Sequence, residues 1–155
     1  RSADAAAVVH TSSSGGTHAG LLAGRAIARA AGRPAPPVLA VAVTKGFWLD
    51  PPSVAELATG ALAHLGHDLA VDAADVEVDE RWVGEGYEVP TPEGDDAIGW
   101  AARHGGWVLD RTYTGKGFAG LLGHAAEGRW EGRTVVFWHT GGFPALFAPG
   151  GCPPV

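Results

Sequence analysis

The chain contains no methionine, one cysteine, two tyrosines and only two lysines, Lys45 and Lys116. A translation product starts with methionine, and removal of the initiator exposes a small residue. A chain that opens on Arg1 is therefore expected to follow a cut in a longer polypeptide. The single Cys152 can form no internal disulfide and, with no signal-like N-terminus, fits a reduced, cytoplasmic setting. No apolar run approaches the roughly 20 residues of a membrane span, so no membrane association is expected. Seventeen acids against eleven bases leave a net charge of −6, spread along the chain. The basic stripe of a nucleic-acid-binding surface is thus missing. His64 and His67 lie near a helix end, but there is neither HExxH nor a cysteine pair, and no metal site is expected. The serines form no GxSxG elbow, and no glycine run matches GxGxxG or a P-loop.

What is present is a globular composition: 46% hydrophobic and 18% charged residues over 155 positions, with 24 glycines. Apolar periodicity alternates between strand and helix. Val8–Thr11 reads as a short strand and Thr17–Ala31 as a helix with one apolar face, ended by Gly32 and Pro34. Val38–Thr44 is continuously apolar, as in a strand buried on both faces. Pro51–Leu65 is a helix, Val76–Trp82 an alternating strand, and Thr91–His104 a helix with a capping hydroxyl and first-turn acids. Trp107–Asp110 reads as a strand, Lys116–Ala126 as a helix and Val135–Thr140 as a last strand, followed by a Pro/Gly-rich loop tail. Strand-then-helix units with short links predict a single α/β unit over residues 1–155, a mostly parallel sheet with helices on both faces.

In open parallel sheets ligands bind beyond the C-terminal strand ends. Three such ends are rich in glycine and hydroxyls: Ser12-Ser13-Ser14-Gly15-Gly16-Thr17, Asp110–Lys116 and His139-Thr140-Gly141-Gly142. The first combines a helix N-terminus, two glycines and flanking hydroxyls, which is what a phosphate requires. It is equally what a tight, hydroxyl-capped turn requires. Lying on one sheet edge, the three turns point to a shared site.

Four blocks, SSSGGTHAGLLAG (12–24), VGEGYEVPTPEG (83–94), VLDRTYTGKGFAGLL (108–122) and VVFWHTGGFPALFA (135–148), together resemble the D-cysteine desulfhydrase / 1-aminocyclopropane-1-carboxylate (ACC) deaminase family. These are fold type II pyridoxal-phosphate enzymes, relatives of the tryptophan synthase β subunit. The resemblance covers the later half of a family member, the C-terminal part of its large domain. It implies pyridoxal 5′-phosphate as cofactor, with Ser14, Gly15, Gly16 and Thr17 around the phosphate. Tyr113 corresponds to the tyrosine against the pyridine ring, and Thr114 and Thr140 to positions near the ring nitrogen. Tyr87 corresponds to a second tyrosine at the substrate that could exchange protons with the amino acid.

The departures from the family pattern are specific. ACC deaminases carry a glutamate where Thr114 stands, so the resemblance leans towards desulfhydrase-like C–S lyase chemistry on a small amino-acid substrate. ACC deamination, sulfo-lyase action on cysteate and cleavage of a biosynthetic cysteine conjugate remain alternatives, as does a non-catalytic, partner-binding remnant. His18 replaces a usual glutamine and Ser13 a usual glycine. Neither Lys45 nor Lys116 matches the Schiff-base lysine, which family members carry in their N-terminal half with the carboxylate-gripping serine and asparagine. The chain is therefore expected to need an N-terminal segment, cleaved or separately encoded, and to be inactive alone. The complete enzyme is expected to be a homodimer.

Overall fold

A computed structural model describes residues 4–46 and 50–151. Strand β1 (Ala7–Ser12) leads through Gly15 into helix α1 (Gly16–Ala30), and β2 (Val38–Ala42) leads towards α2 (Pro51–His64). A short 3-10 turn precedes β3 (Glu77–Asp79), followed by α3 (Pro92–Gly105), α4 (Thr114–Ala126) and β4 (Val135–Trp138). The helix starts are chemically marked. The Asp50 carboxylate accepts from the Ser53 N–H ahead of Pro51 and Pro52, and the Thr91 hydroxyl accepts from the Gly94 N–H ahead of Pro92. Gly106, left-handed at φ 64°, ends α3.

All strands are parallel, in the order β3-β2-β1-β4. Val9 sits opposite Leu39 on one side and Phe137 on the other. Alternate residues of the central strands serve opposite layers. Val8 and Val38 pack with Ala19, Leu22, Val54 and Ala58 of α1 and α2. Val9, Leu39 and Val41 face the other way, against Leu121 and Phe137. Every residue of β2 is buried, which is why its sequence is apolar throughout rather than alternating. Gly117 lets α4 approach β1 closely, because a Cβ there would collide with the Thr11 hydroxyl. The chain winds outward from β1 through β2 to β3 and then returns to place β4 on the far side of β1. The β1/β4 boundary is thus a topological switch point, where a crevice opens.

Several local expectations change. Trp107–Asp110 is not a strand: Trp107 and Val108 are exposed, while Leu109 turns into the α3–α4 core and Asp110 is consumed by the next turn. Helix α4 begins at Thr114, before the expected Lys116, because the Asp110 carboxylate satisfies the first N–H groups of the turn. Strand β3 is confined to Glu77–Asp79, as the Asp79 carboxylate accepts from the Arg81 N–H and Trp82 Nε1 and turns the chain. Strands β2 and β4 stop at Ala42 and Trp138, and a 3-10 turn forms at Phe143–Phe147 before the tail. Cys152 and the residues after it lie outside the described residues.

Candidate functional site

The three turns singled out in the sequence meet in one cavity of about 210 Å³, at the C-terminal ends of β1 and β4. Its lining runs from Thr11 to Thr17, with Tyr113, Thr114 and Thr140–Gly142 opposite. Gly15 adopts the left-handed conformation (φ 77°) and α1 starts without a side-chain cap. The first N–H groups of α1 therefore face the cavity side uncapped, at the positive end of the helix dipole. A Cβ at Gly16 would meet no protein atom, so the open space above it belongs to whatever approaches the turn. The buried hydroxyls of Thr11 and Ser12 have no hydrogen-bond partner, and Ser14 and Thr17 are exposed. Uncapped N–H groups, free hydroxyls and no lysine or arginine in the lining fit a phosphate held by dipoles rather than by ion pairing.

The opposite wall is built differently. Asp110 is fully buried, and its carboxylate accepts from the N–H groups of Thr112, Tyr113 and Thr114 and from the Thr114 hydroxyl, at 2.7–2.9 Å. The Thr114 oxygen also accepts from the Asp110 N–H. Thr114 thus lines the cavity with its one hydroxyl proton already committed to Asp110. Gly142 joins the third turn to this wall, since any side chain there would run into the Asp110 carboxylate. Arg111 pairs with Asp95 at 2.6 Å and donates to the Gly150 carbonyl, tying the turn to α3 and the tail. Asp110 carries the wall, yet its sequence signal was slight: an acid four residues before a threonine at a helix start.

Lys116 is fully buried, and its Nζ donates to the carbonyls of Val83 (2.7 Å) and Gly86 (2.9 Å). Burial lowers its pKa from the usual lysine range. It pins the loop that carries Tyr87 instead of facing the cavity. The Tyr87 hydroxyl is hydrogen-bonded to that of Tyr113, and the rings meet edge to face with centroids 5.8 Å apart. That bond pushes the Tyr87 pKa up to about 12. Tyr87 stands behind Tyr113 and does not itself line the cavity. Glu88, next in the chain, is the one non-glycine residue with positive φ among those described (64°), a local strain of the kind functional loops carry.

Beneath the phosphate-type turn lie two further residues that the motif reading did not assign. His10 and His18 are both fully buried with ring centroids 5.0 Å apart. The His10 Nε2 and both nitrogens of His18 lack partners. Burial lowers the pKa of His10 to about 4, and burial together with the neighbouring His10 lowers that of His18 to about 3. Both imidazoles are neutral at physiological pH. No group of histidines, cysteines or acids among the described residues could hold a metal ion, and none of the described helices is long and apolar enough to cross a membrane.

Comparison with solved structures gives a match to one described as a crystal structure analysis of an ACC deaminase homologue, with a TM-score of 0.79 and 28% identity. The match covers 93% of this chain but only 42% of that one, so the chain spans less than half the homologue's length. Residues 2–141 match the family model described as pyridoxal-phosphate dependent enzyme. With its switch-point cavity, uncapped helix start and a family match across nearly its whole length, this chain belongs to the pyridoxal-phosphate dependent enzyme family.

Proposed function

We propose that this chain is the cofactor-cradling part of a pyridoxal-phosphate lyase that eliminates a thiol from a cysteine-type amino acid, giving a 2-oxo acid and ammonia. A lysine for the cofactor would come from polypeptide outside this chain, because Lys116 is buried against two carbonyls and Lys45 lies off the cavity. Pyridoxal 5′-phosphate, when bound, supplies the electron sink for chemistry at the amino acid's α-carbon. Ser14, Gly15, Gly16 and Thr17 would hold its phosphate on the uncapped start of α1. Tyr113 forms a wall for the ring, steadied through its hydroxyl by Tyr87. Thr140, an exposed residue of the same lining, offers a further hydroxyl.

One observation carries the C–S lyase reading: no carboxylate among the described residues lines the cavity. Asp110 is the nearest acid in the wall, and its oxygens are spent on the turn. A lining of hydroxyls cannot hold a proton on a pyridine nitrogen as an acid would, and the weaker sink that results suits a substrate whose sulfur leaves readily. The raised pKa makes the Tyr87 phenol a weak acid, so its part in this reading is to hold Tyr113 in place. The homologue's description favours a second reading, ACC deamination on the same scaffold.

Turnover of D-cysteine, L-cysteate and ACC, measured side by side with the complete enzyme, separates these. Sulfide or thiol release from the cysteine substrate is expected, and none from this chain by itself. Turnover of ACC alone would replace the C–S reading with the second. A complete enzyme without a visible absorbance that borohydride bleaches would sink both.

A further inference from the structure

Among the described residues, no lysine or arginine lines the cavity, so dipoles alone leave the charge of a phosphate unbalanced there. Directly behind that lining lie the two buried histidines. His10 adjoins Thr11 and His18 adjoins Thr17, so each is one residue removed from the lining, on either side of the turn. His18 stands two residues beyond Gly16, about 3 Å along the helix axis. The Nδ1 of His10 is 2.9 Å from the Thr11 carbonyl and must carry its proton there, which leaves Nε2 as a lone pair with no donor. Neither nitrogen of His18 has a partner. Centroids 5.0 Å apart place the nitrogens of one ring within a small rotation of a hydrogen bond to the other. Unpartnered buried nitrogens are costly, and one added proton would pair two of them.

We propose that His18 is the counter-charge for a phosphate held at the start of α1, taking one proton from solvent when the phosphate binds and donating it in a hydrogen bond to the Nε2 of His10. The inference rests on the reading of that turn as a phosphate cradle and is independent of which lyase reaction follows. Without a phosphate, burial and the neighbouring His10 hold the His18 pKa at about 3. An opposite charge within about 4–6 Å raises a pKa by roughly 1–3, and a phosphate dianion acts with twice that charge, which brings His18 towards neutrality. Two rings this close repel a second proton, so the pair takes up one. The other charges around the pair are occupied or remote. The faces of β2 and α2 packed on α1 present Val38, Val54, Ala55 and Ala58, while Glu56 and His64 of α2 are exposed. Lys45, after β2, is exposed, and Asp50 caps α2. Further along α1, Arg25 and Arg29 pair with Asp75. In the opposite wall, the buried Asp110 and Lys116 are of opposite charge, each with its own hydrogen-bond partners.

Nitrogen-15 NMR of histidine-labelled complete enzyme, stripped of cofactor, tests the proposal. The probe is pyridoxine 5′-phosphate, which carries the phosphate and ring but no aldehyde and so forms no Schiff base; pyridoxine, without the phosphate, is the control. At about pH 7, saturation with the phosphate ester is expected to turn His18 from a neutral ring into one with both nitrogens protonated, and pyridoxine to leave it neutral. The ring is assigned through its own backbone, so this result needs no variant. His18→Gln should weaken binding of the ester at about pH 7 at least threefold more than at about pH 9, where the histidine contributes no charge. A role in shape alone would weaken binding equally at both. A neutral His18 in the saturated complex overturns the inference and leaves the phosphate cradle standing. An enzyme that binds neither this ester nor pyridoxal 5′-phosphate overturns the cradle and the inference together.

Discussion

The two walls of the cavity treat their polar groups in opposite ways. At β1 and the start of α1, the Thr11 and Ser12 hydroxyls that line the cavity are buried without partners and the helix start is uncapped, while the His10 Nε2 and both His18 nitrogens lie unpartnered behind that lining. Around Asp110 the polar groups are paired: the carboxylate with three N–H groups and a hydroxyl, the Thr114 oxygen with Asp110 and, behind the lining, the Lys116 ammonium with two carbonyls. A buried unpaired polar group is costly, so one wall forgoes stability to keep its groups available to a ligand. The saturated wall supplies the rigidity against which the open one works. Binding capacity and stability are thus separated within a single cavity.

If that division is right, damage to the saturated wall should cost stability first. Asp110→Ala strands buried N–H groups of the α4 start and is expected to lower unfolding free energy by about 3–5 kcal/mol in urea titration. Loss of less than about 1 kcal/mol would remove Asp110 from its central place. Lys116→Met leaves the Val83 and Gly86 carbonyls unpaired but also removes a buried charge. The net loss should be about 1–3 kcal/mol, with faster amide exchange confined to the loop around Tyr87.

The histidines buried behind the open wall should reveal themselves in acid. His10 and His18 have folded pKa values of about 4 and about 3, below that of a free imidazole. The unfolded chain takes up these protons first, so stability is retained above about pH 6.5 and falls as pH drops towards 4, by up to about 1.4 kcal/mol per pH unit for each histidine. His18→Gln should roughly halve the slope of stability against pH across that window, and an unchanged slope would show that His18 is not among the titrating groups. The smallest effect on stability is expected at Gly16. Gly16→Ala meets no protein atom, so unfolding should shift by no more than about 0.5 kcal/mol. Its methyl nevertheless occupies the space above the turn, and affinity for pyridoxal 5′-phosphate in the complete enzyme should fall at least tenfold. Tight binding by this variant would move the phosphate away from the α1 start.

Much of this arrangement was legible in the sequence because it is local. The proline and hydroxyl or carboxylate starts of α2 and α3, the continuous apolar run of β2 and the Ser-Ser-Gly-Gly-Thr turn each announce themselves within a few residues. Trp107–Asp110 misled because three apolar residues in a row read as a strand whether or not a neighbour is available to pair with them. Here Leu109 turned into a helix core and Asp110 into a cap. The pairing of His10 with His18, the burial of Lys116 against Val83 and Gly86, and the joining of Tyr87 to Tyr113 bridge 8 to 33 positions. No local pattern encodes such distances.

By itself the sequence determined the alternation of strands and helices, the phosphate-type turn and the scarcity of lysine, since periodicity, capping chemistry and composition are properties of neighbouring residues. Only the tertiary structure decided which groups are free. That depends on the return of β4 to the far side of β1 and on the close approach of α4 through Gly117. The same packing left the α1 start open while it closed the Asp110 turn on itself, because a hydrogen-bonding group is available to a ligand only where folding has given it no partner.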